Sequence, residues 1–524
     1  MEQEIQKESG CTTNKFKKII SSPHLKMIGL SLLSAFLVVT LYFTNLSFLY
    51  PSYSVDGMAT DSYFFMLTGK MMAEGKLPYV DFSDHKGIIV FFLQEVGWII
   101  GKRTGVAFIN FIEVFLSSYL SLLCIKELFD FKLKEQILAS LIFVLLFCLV
   151  LGGNAVSLIP LPFCILATYF YIKSIRRNDR KSMLIGSLIA GLSIGIAFNT
   201  RPTDGLASLG LYLYCFIWFL KNRKEYKFDL IFNILLALGG FVLPQLIIYP
   251  IAYVRGYMKE MIQANFLDNI SYLGYSSYLI PTLLCMSAVI LFGALSIFLI
   301  LKIKKKDKDL ASFLLITLIP NLIFSIIFAK FTHYWISYFG FIVLILISFL
   351  HYYPLTIKKK EATNILNISL ASLNLIIGFT VFGIFKLGDE SMTFSDAFQK
   401  SVFDEVSENI TEEELKTKDK VLFLDTNCGI IIKSDNDTSL TIKAYHDSFS
   451  KFNDKAKSEI LNYLDNVKPT YIVLNEAPEY NDTKETVYSS YIYSHYSPMK
   501  DSHPKNNIRV FKLNWTVFKI IVQS

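Results

Sequence analysis

The chain has 524 residues, of which 53% are apolar, 15% are aromatic and only 18% are charged. This composition excludes an ordinary water-soluble protein, because the apolar residues form long uninterrupted runs instead of the scattered positions of a soluble core. Such runs suffice to cross about 30 Å of hydrocarbon. The seven cysteines have no paired spacing and mostly fall within the runs, so we interpret them as small hydrophobic residues.

Eleven segments are predicted to cross the membrane as α-helices. The first follows a basic stretch, but it is longer than a secretory apolar segment and has no small-residue cleavage site, so we interpret it as an anchor. The stretch 87–101 is short for a crossing and would invert every later loop, so we predict a helix that lies at the outer membrane interface or dips into it. The predicted crossings are 27–48, 104–128, 136–153, 157–173, 183–199, 205–220, 230–253, 279–301, 310–329, 335–351 and 364–387.

Basic residues are concentrated in alternate loops. With a cytoplasmic amino terminus, every basic cluster between crossings falls inside, as the positive-inside rule requires. We therefore predict a multi-pass protein of the bacterial plasma membrane, with 1–26 as a cytoplasmic basic tail and 27–387 as the transmembrane domain. The clusters lie at 132–134, 176–181, 221–227, 302–306 and 358–360.

The composition changes after the last predicted crossing. From residue 388 onward there are 16 Lys/Arg and 22 Asp/Glu, a net charge of 16 − 22 = −6, so the preceding part carries +7 − (−6) = +13. The apolar, β-rich runs 420–425 and 469–476 flank a segment, 455–467, with helical spacing. The sequence therefore predicts an extracytoplasmic α/β domain over 388–524.

The loop after the first crossing, within the predicted external region 49–103, is rich in ionisable residues. Asp61 is predicted to begin a helix whose apolar residues form one face, so that the helix lies on the membrane. Beyond Gly75 and Pro78, four ionisable residues follow closely: Asp81, Asp84, His85 and Lys86. Taken alone, Asp61 is more often only a helix cap, but long loops with many ionisable groups are more often functional.

The loop resembles the first external loop of bacterial GT-C glycosyltransferases, which are relatives of the dolichyl-phosphate-mannose protein mannosyltransferases and the lipid A aminoarabinose transferase. The likeness lies in Asp-Ser-Tyr-Phe-Phe at 61–65, Gly-Lys at 69–70, and Gly-Lys-Leu-Pro-Tyr-Val-Asp-Phe-Ser-Asp-His-Lys-Gly at 75–87. It implies a GT-C fold and inverting transfer of a sugar from a polyprenyl-phosphate donor to a cell-envelope acceptor, with Asp61 as the base. Ser62 replaces the family's second carboxylate, so Asp56, Asp81 and Asp84 are the candidates for its role.

A departing lipid phosphate would be stabilised by cations at the outer ends of helices. Lys86 and His85 in the loop, Arg201 after the fifth crossing and His333 after the ninth are the predicted donor-phosphate residues. As alternatives, Arg201 is a snorkelling anchor and His333 an interfacial histidine with satisfied hydrogen bonds. The sequence allows a divalent metal without requiring one.

Two other functions remain open from the sequence. A polysaccharide polymerase also uses lipid-linked sugars outside the cell, and a transporter or flippase of lipid-linked glycans also has many crossings. A transporter usually has its charges near the membrane midplane beside broken helices, whereas here they lie toward one face. In every case the predicted partners are membrane lipid and glycan substrates, with no nucleic acid.

Overall fold

The computed structural model describes most of the amino-terminal two thirds of the chain and parts of the remainder. These residues are 22–43, 45–48, 60–82, 84–129, 132–147, 153–221, 229–268, 279–328, 332–354, 410–415, 417, 420–424, 454–475, 489–499 and 508–514. The description below refers to them alone.

The membrane part contains twelve described helices. They are α1 Pro23–Leu41, α2 Thr60–Ala73, α3 Ile88–Leu128, α4 Leu133–Leu146, α5 Leu161–Arg177, α6 Arg180–Phe198, α7 Leu206–Lys221, α8 Asp229–Arg255, α9 Met258–Ile262, α10 Leu279–Lys304, α11 Lys308–Phe328 and α12 Phe339–Tyr352. Short 3-10 helices precede α5, α7 and α12, at Val156–Leu158, Pro202–Gly205 and Thr332–Tyr338. A π-helix, Gln263–Asp268, follows α9.

Seven of the described helical stretches are long and apolar enough to cross a membrane, which confirms a helical membrane protein. They are Pro23–Leu41, Ile88–Leu128, Val156–Arg177, Arg180–Phe198, Pro202–Lys221, Asp229–Arg255 and Trp335–Tyr352. Helices α10 and α11 match two further predicted crossings. Helix α4 has only 14 residues, and the predicted crossing 364–387 lies outside the described residues, so the count of eleven stays a prediction.

Helix α3 contains a sharp break between two helical segments. Gly101 and Lys102 leave helical geometry, and Lys102 has a φ of 52°. A Cβ placed on Gly105 would lie 2.0 Å from the carbonyl oxygen of Gly97, although eight residues of straight helix span about 12 Å. Residues 88–100 therefore fold back on the rest of α3. The predicted separation of 87–101 from the crossing is observed, and its place at the membrane interface stays a prediction.

Helix α2 forms where expected, but its surroundings differ from the prediction. Residues 62–72 are all buried within the chain, so the helix does not lie with one face on the membrane. The side of α2 opposite its apolar face includes small residues, among them Thr68 and Gly69, so other helices can pack against this side as well. At Gly69 the backbone of Gln94 is so near that an added Cβ would lie 2.5 Å from it.

The described loops meet at the two ends of the helix bundle. The loops predicted to be cytoplasmic are joined to one another by three ion pairs. These pair Arg176 with Asp307, Arg177 with Glu127, and Arg180 with Asp229. The loops predicted to be external are likewise joined to one another, for example by a hydrogen bond of 2.8 Å from the Gly87 N–H to the Thr200 carbonyl. The described loops at each end thus contact one another, while the alternating topology and the identity of the cytoplasmic end stay predictions.

The described carboxyl-terminal residues form a small mixed sheet. Strands β1 (Val421–Leu424) and β2 (Tyr471–Asn475) are parallel, and helix α14 (Asp454–Val467) lies between them in the chain. The remaining elements are α13 Glu412–Leu415, α15 Ser489–His495, β3 Tyr496–Pro498 and β4 Ile508–Leu513, in the sheet order β1-β2-β4-β3. The two predicted strands and the helix between them are therefore present, and their assignment to an extracytoplasmic domain stays a prediction.

Candidate functional site

Asp61 is the exposed start of an otherwise buried helix. It is the second residue of α2, in the first turn, where the helix dipole favours a negative charge. Residues 62–72 behind it are buried. Within the described part of the chain, no hydrogen bond or ion pair of the Asp61 carboxylate is found, so it is not a hydrogen-bonded cap there. The carboxylate is therefore exposed at the end of a helix that is otherwise packed inside the protein.

The start of α2 is held by a buried network of amide side chains. Asn154 donates 3.1 Å to the carbonyl of Ser62, the residue next to Asp61. Asn154 and Gln94 also exchange two side-chain hydrogen bonds of 2.6 and 2.9 Å, and the Asn154 N–H donates 2.8 Å to the Asn110 side chain. One residue, Asn154, therefore ties α2 to both segments of α3, through its side chain and its backbone N–H.

Asp84, His85 and Lys86 form a compact charged group. Asp84 is 1% exposed, and its Oδ1 lies 3.6 Å from Lys86 Nζ and 3.2 Å from His85 Nδ1. Lys86 Nζ also lies 3.1 Å from His85 Nε2. Because an ammonium only donates, His85 Nε2 accepts and the imidazole is neutral in this arrangement. Asp84 therefore serves as the buried counter-ion of Lys86.

The Lys86 ammonium reaches helix α2. It lies 5.8 Å from the ring centroid of Phe65, in the range of a cation–π contact. Phe65 is four residues after Asp61, which places both on one side of the helix about one turn apart. The predicted base and a predicted phosphate-binding cation are thus close to the same stretch of α2.

Tyr79 fixes the backbone of Lys86. It has a left-handed backbone, with a φ of 65°, and its hydroxyl donates 2.8 Å to the Lys86 carbonyl. Burial raises the pKa of the Tyr79 phenol well above its ordinary value, and the Asp84 charge acts in the same direction. The phenol therefore stays protonated and remains a donor. Nothing in the sequence pattern distinguished this tyrosine from the many others.

The other two candidate acids have different positions. Asp81 accepts a hydrogen bond of 2.6 Å from the Leu77 N–H and closes the turn after α2, which is a structural use. Asp56 lies outside the described residues. Neither observation identifies the residue that would take the place of the second carboxylate implied by the resemblance to GT-C glycosyltransferases.

Arg201 is buried and already paired. Its guanidinium donates to both carboxylate oxygens of Asp204, at 2.8 and 3.2 Å, and to the hydroxyl of Ser157. Asp204 also accepts 3.1 Å from Ser337. This arrangement is a buried ion pair linking three turns at the same end of the bundle, not a snorkelling anchor. To bind phosphate as predicted, Arg201 would have to use guanidinium N–H groups that do not donate to Asp204 or Ser157.

The loop of Asp84 to Lys86 is joined directly to the Arg201 turn. The Ile89 N–H donates 3.1 Å to the Asn199 carbonyl, and a Cβ on Gly87 would lie 2.0 Å from the Asn199 backbone. His333 belongs to the 3-10 helix Thr332–Tyr338, whose Ser337 contacts Asp204, but its side chain is outside the described residues. The structure thus brings the elements bearing most predicted site residues to one end of the bundle.

The described residues form no recognisable metal site. In that part of the chain no three His, Cys, Asp or Glu side chains gather closely enough to hold an ion. The charged group at Asp84 to Lys86 fits an anion better than a cation, because its most accessible charge is an ammonium.

Comparison with known protein families and with curated proteins finds no match to this chain.

Proposed function

We propose that the protein is a membrane glycosyltransferase of GT-C type that moves a sugar from a polyprenyl-phosphate donor to a cell-envelope acceptor. The proposal rests on one observation above the others. An exposed carboxylate, Asp61, which has no hydrogen bond or ion pair to the described residues, begins a buried helix, and the Lys86 ammonium lies against the same helix one turn further on. Such a pair matches the two needs of this transfer, a base and a cation.

The chemistry assigns separate tasks to these groups. The Asp61 carboxylate accepts the proton of the acceptor hydroxyl while that oxygen forms a bond to the anomeric carbon. The bond between the anomeric carbon and the phosphate oxygen breaks, and both of its electrons leave with the polyprenyl phosphate. One displacement of this kind inverts the anomeric centre. Lys86 stabilises the negative charge of the leaving phosphate.

The neighbouring groups keep Lys86 in place. Asp84 and His85 hold the ammonium by contacts of 3.6 and 3.1 Å, and Tyr79 holds its backbone. Nε2 of His85 accepts from Lys86. His85 can therefore donate a hydrogen bond to the phosphate only when its ring is protonated. Arg201 supports the site chiefly by joining its turns, and direct phosphate contacts from Arg201 and His333 stay predictions.

The membrane orientation follows from charge. We place this site on the outer face of the bacterial plasma membrane because the opposite end of the bundle carries the basic loops that the positive-inside rule assigns to the cytoplasm. The amino terminus then lies inside, and the acidic carboxyl-terminal part lies outside.

Product analysis distinguishes this function from its rivals. The full-length protein in proteoliposomes is given a panel of undecaprenyl-phosphate sugars and an extract of envelope acceptors, and the lipid products are identified by mass spectrometry. Free undecaprenyl phosphate and a glycosylated acceptor are expected. An intact lipid-linked sugar that only changes leaflet would establish a flippase. Turnover only of diphosphate-linked oligosaccharides would establish a polymerase, and either result contradicts the proposal.

A further inference from the structure

The turn between α10 and α11 carries the densest positive charge of the described chain. Its sequence is Lys-Ile-Lys-Lys-Lys-Asp-Lys over 302–308. The turn is tight, with the Lys306 N–H and the Asp307 N–H both donating 2.8 Å to the Ile303 carbonyl. Apolar helices of 26 and 21 residues run into it from both sides, so the turn lies where hydrocarbon meets the lipid headgroups.

The one acid inside this turn faces the protein. Asp307 accepts 2.5 Å from Arg176, 2.9 Å from the Tyr352 hydroxyl and 3.0 Å from the Leu310 N–H. Burial alone would raise the pKa of the Asp307 carboxyl, but the Leu310 N–H and the Arg176 guanidinium outweigh it and lower the pKa. The carboxylate is therefore charged, and its charge is directed to Arg176 and away from the lysines.

Two further acids of this end, Glu127 and Asp229, are also paired with arginines. Glu127 is held by both donors of Arg177, one of them at 2.7 Å, and Asp229 pairs with Arg180. The lysines at 304, 305, 306 and 308, by contrast, have exposed side chains and no ion pair to a described residue. The adjacent Asp309, also exposed, offsets one of these charges. The turn therefore carries a net positive charge from exposed lysines that have no ion pair to a described residue.

We propose that the turn 304–308 is a docking surface for the headgroups of anionic phospholipids in the leaflet it faces. Flexible ammonium groups suit phosphodiesters, which need charge without a fixed hydrogen-bond geometry. A surface lysine near an anionic leaflet contributes about fivefold in affinity. Asp307 joins the turn to Arg176 of α5 and Tyr352 of α12. Bound lipid would therefore also stabilise the contact of the turn with these two helices. The inference is independent of the proposed enzyme activity.

Lipid titration by native mass spectrometry tests the proposal. The full chain, delipidated in a neutral detergent, is titrated with phosphatidylglycerol and with phosphatidylcholine. The double variant Lys305→Gln/Lys306→Gln is compared with Lys134→Gln/Lys181→Gln, a control that removes equal charge from exposed positions of the same end. We expect the wild-type protein and the control to prefer phosphatidylglycerol. The turn variant should lose roughly tenfold or more in affinity for it, with little change for phosphatidylcholine.

Three outcomes overturn the proposal. Equal losses in the two double variants would assign the effect to net charge and not to the turn. No preference of the wild-type protein for phosphatidylglycerol would leave the lysines for another partner, such as an acidic protein. Equally tight binding of soluble glycerol phosphate would identify a phosphate site instead of a lipid surface. A thermal melt of each variant in the same detergent shows whether it is folded.

Discussion

Asn154 contributes more to the candidate site than its position in a glycine-rich turn suggests. It has a left-handed backbone, with a φ of 58°, and it is 5% exposed. Its side chain bonds to Ser62 and Gln94, and its N–H to Asn110. Because Ser62 adjoins Asp61, the position of the proposed base depends on this residue.

Replacing Asn154 by alanine should loosen the start of α2. The Ser62 carbonyl and the Gln94 amide lose buried partners, at a cost of about 1–3 kcal/mol of stability. Hydrogen–deuterium exchange should become faster over 60–66, more than elsewhere in the bundle. Asn178→Ala is the control, since Asn178 is also left-handed, with a φ of 49°, but exposed. Equal effects of the two substitutions would mean that backbone strain alone matters.

Sequence patterns identified several site residues but not their partners. The crowding of Asp84, His85 and Lys86 was visible because they are adjacent. Asp204 was not recognised as the counter-ion of Arg201, although it is only three residues away, because the intervening turn geometry decides whether the two side chains meet. Gln94 and Asn154 are 60 residues apart and meet only through tertiary packing, which no local pattern reports.

At the scale of elements, the contact of α6 with α8 depends on glycines. A Cβ on Gly240 would lie 2.1 Å from the Leu188 carbonyl oxygen, and one on Gly191 would lie 2.0 Å from that of Ala237. Membrane helices approach this closely where small residues face each other. The adjacent Gly239 has no atom within 4 Å of the same position.

These neighbouring glycines give a matched pair of variants. Gly240→Ala should push α6 and α8 apart and cost about 1–3 kcal/mol, as overpacking does. Gly239→Ala should be neutral or slightly stabilising, since alanine is the better helix former by about 0.5–1 kcal/mol. Unfolding in mixed micelles of increasing dodecyl sulfate, followed by circular dichroism, measures both. A similar change in the two variants would contradict the packing described.

Hydropathy located the long helices better than their interruptions. The runs around α5 to α8 were predicted within a few residues, because lipid-facing helices need apolar residues on most sides. The reversal at Gly101 and Lys102 was only inferred, from the short length of 87–101. The burial of α2 was missed, since an apolar face alone does not tell whether lipid or protein covers it.

At the scale of the whole molecule, the two ends of the bundle should react differently from outside the cell. Lys102 is exposed at the break in α3 near the candidate site, and Lys181 is exposed at the opposite end. In a background with the native cysteines replaced by serine, a membrane-impermeant maleimide should label Lys102→Cys in intact cells and Lys181→Cys only after permeabilisation. The reverse pattern would place the candidate site in the cytoplasm and remove access to an external acceptor.

Asp61 is the proposed base of the glycosyl transfer. The most direct measurement compares the transfer rates of Asp61→Asn and Glu74→Gln, two substitutions on or just after the same helix, using an undecaprenyl-phosphate sugar at saturating concentration. Loss of a general base typically lowers kcat by about 10²- to 10⁴-fold, so Asp61→Asn should be slow, with its KM for the donor little changed. Glu74→Gln should remain active. A folded Asp61→Asn protein that transfers sugar as fast as Glu74→Gln would contradict the account.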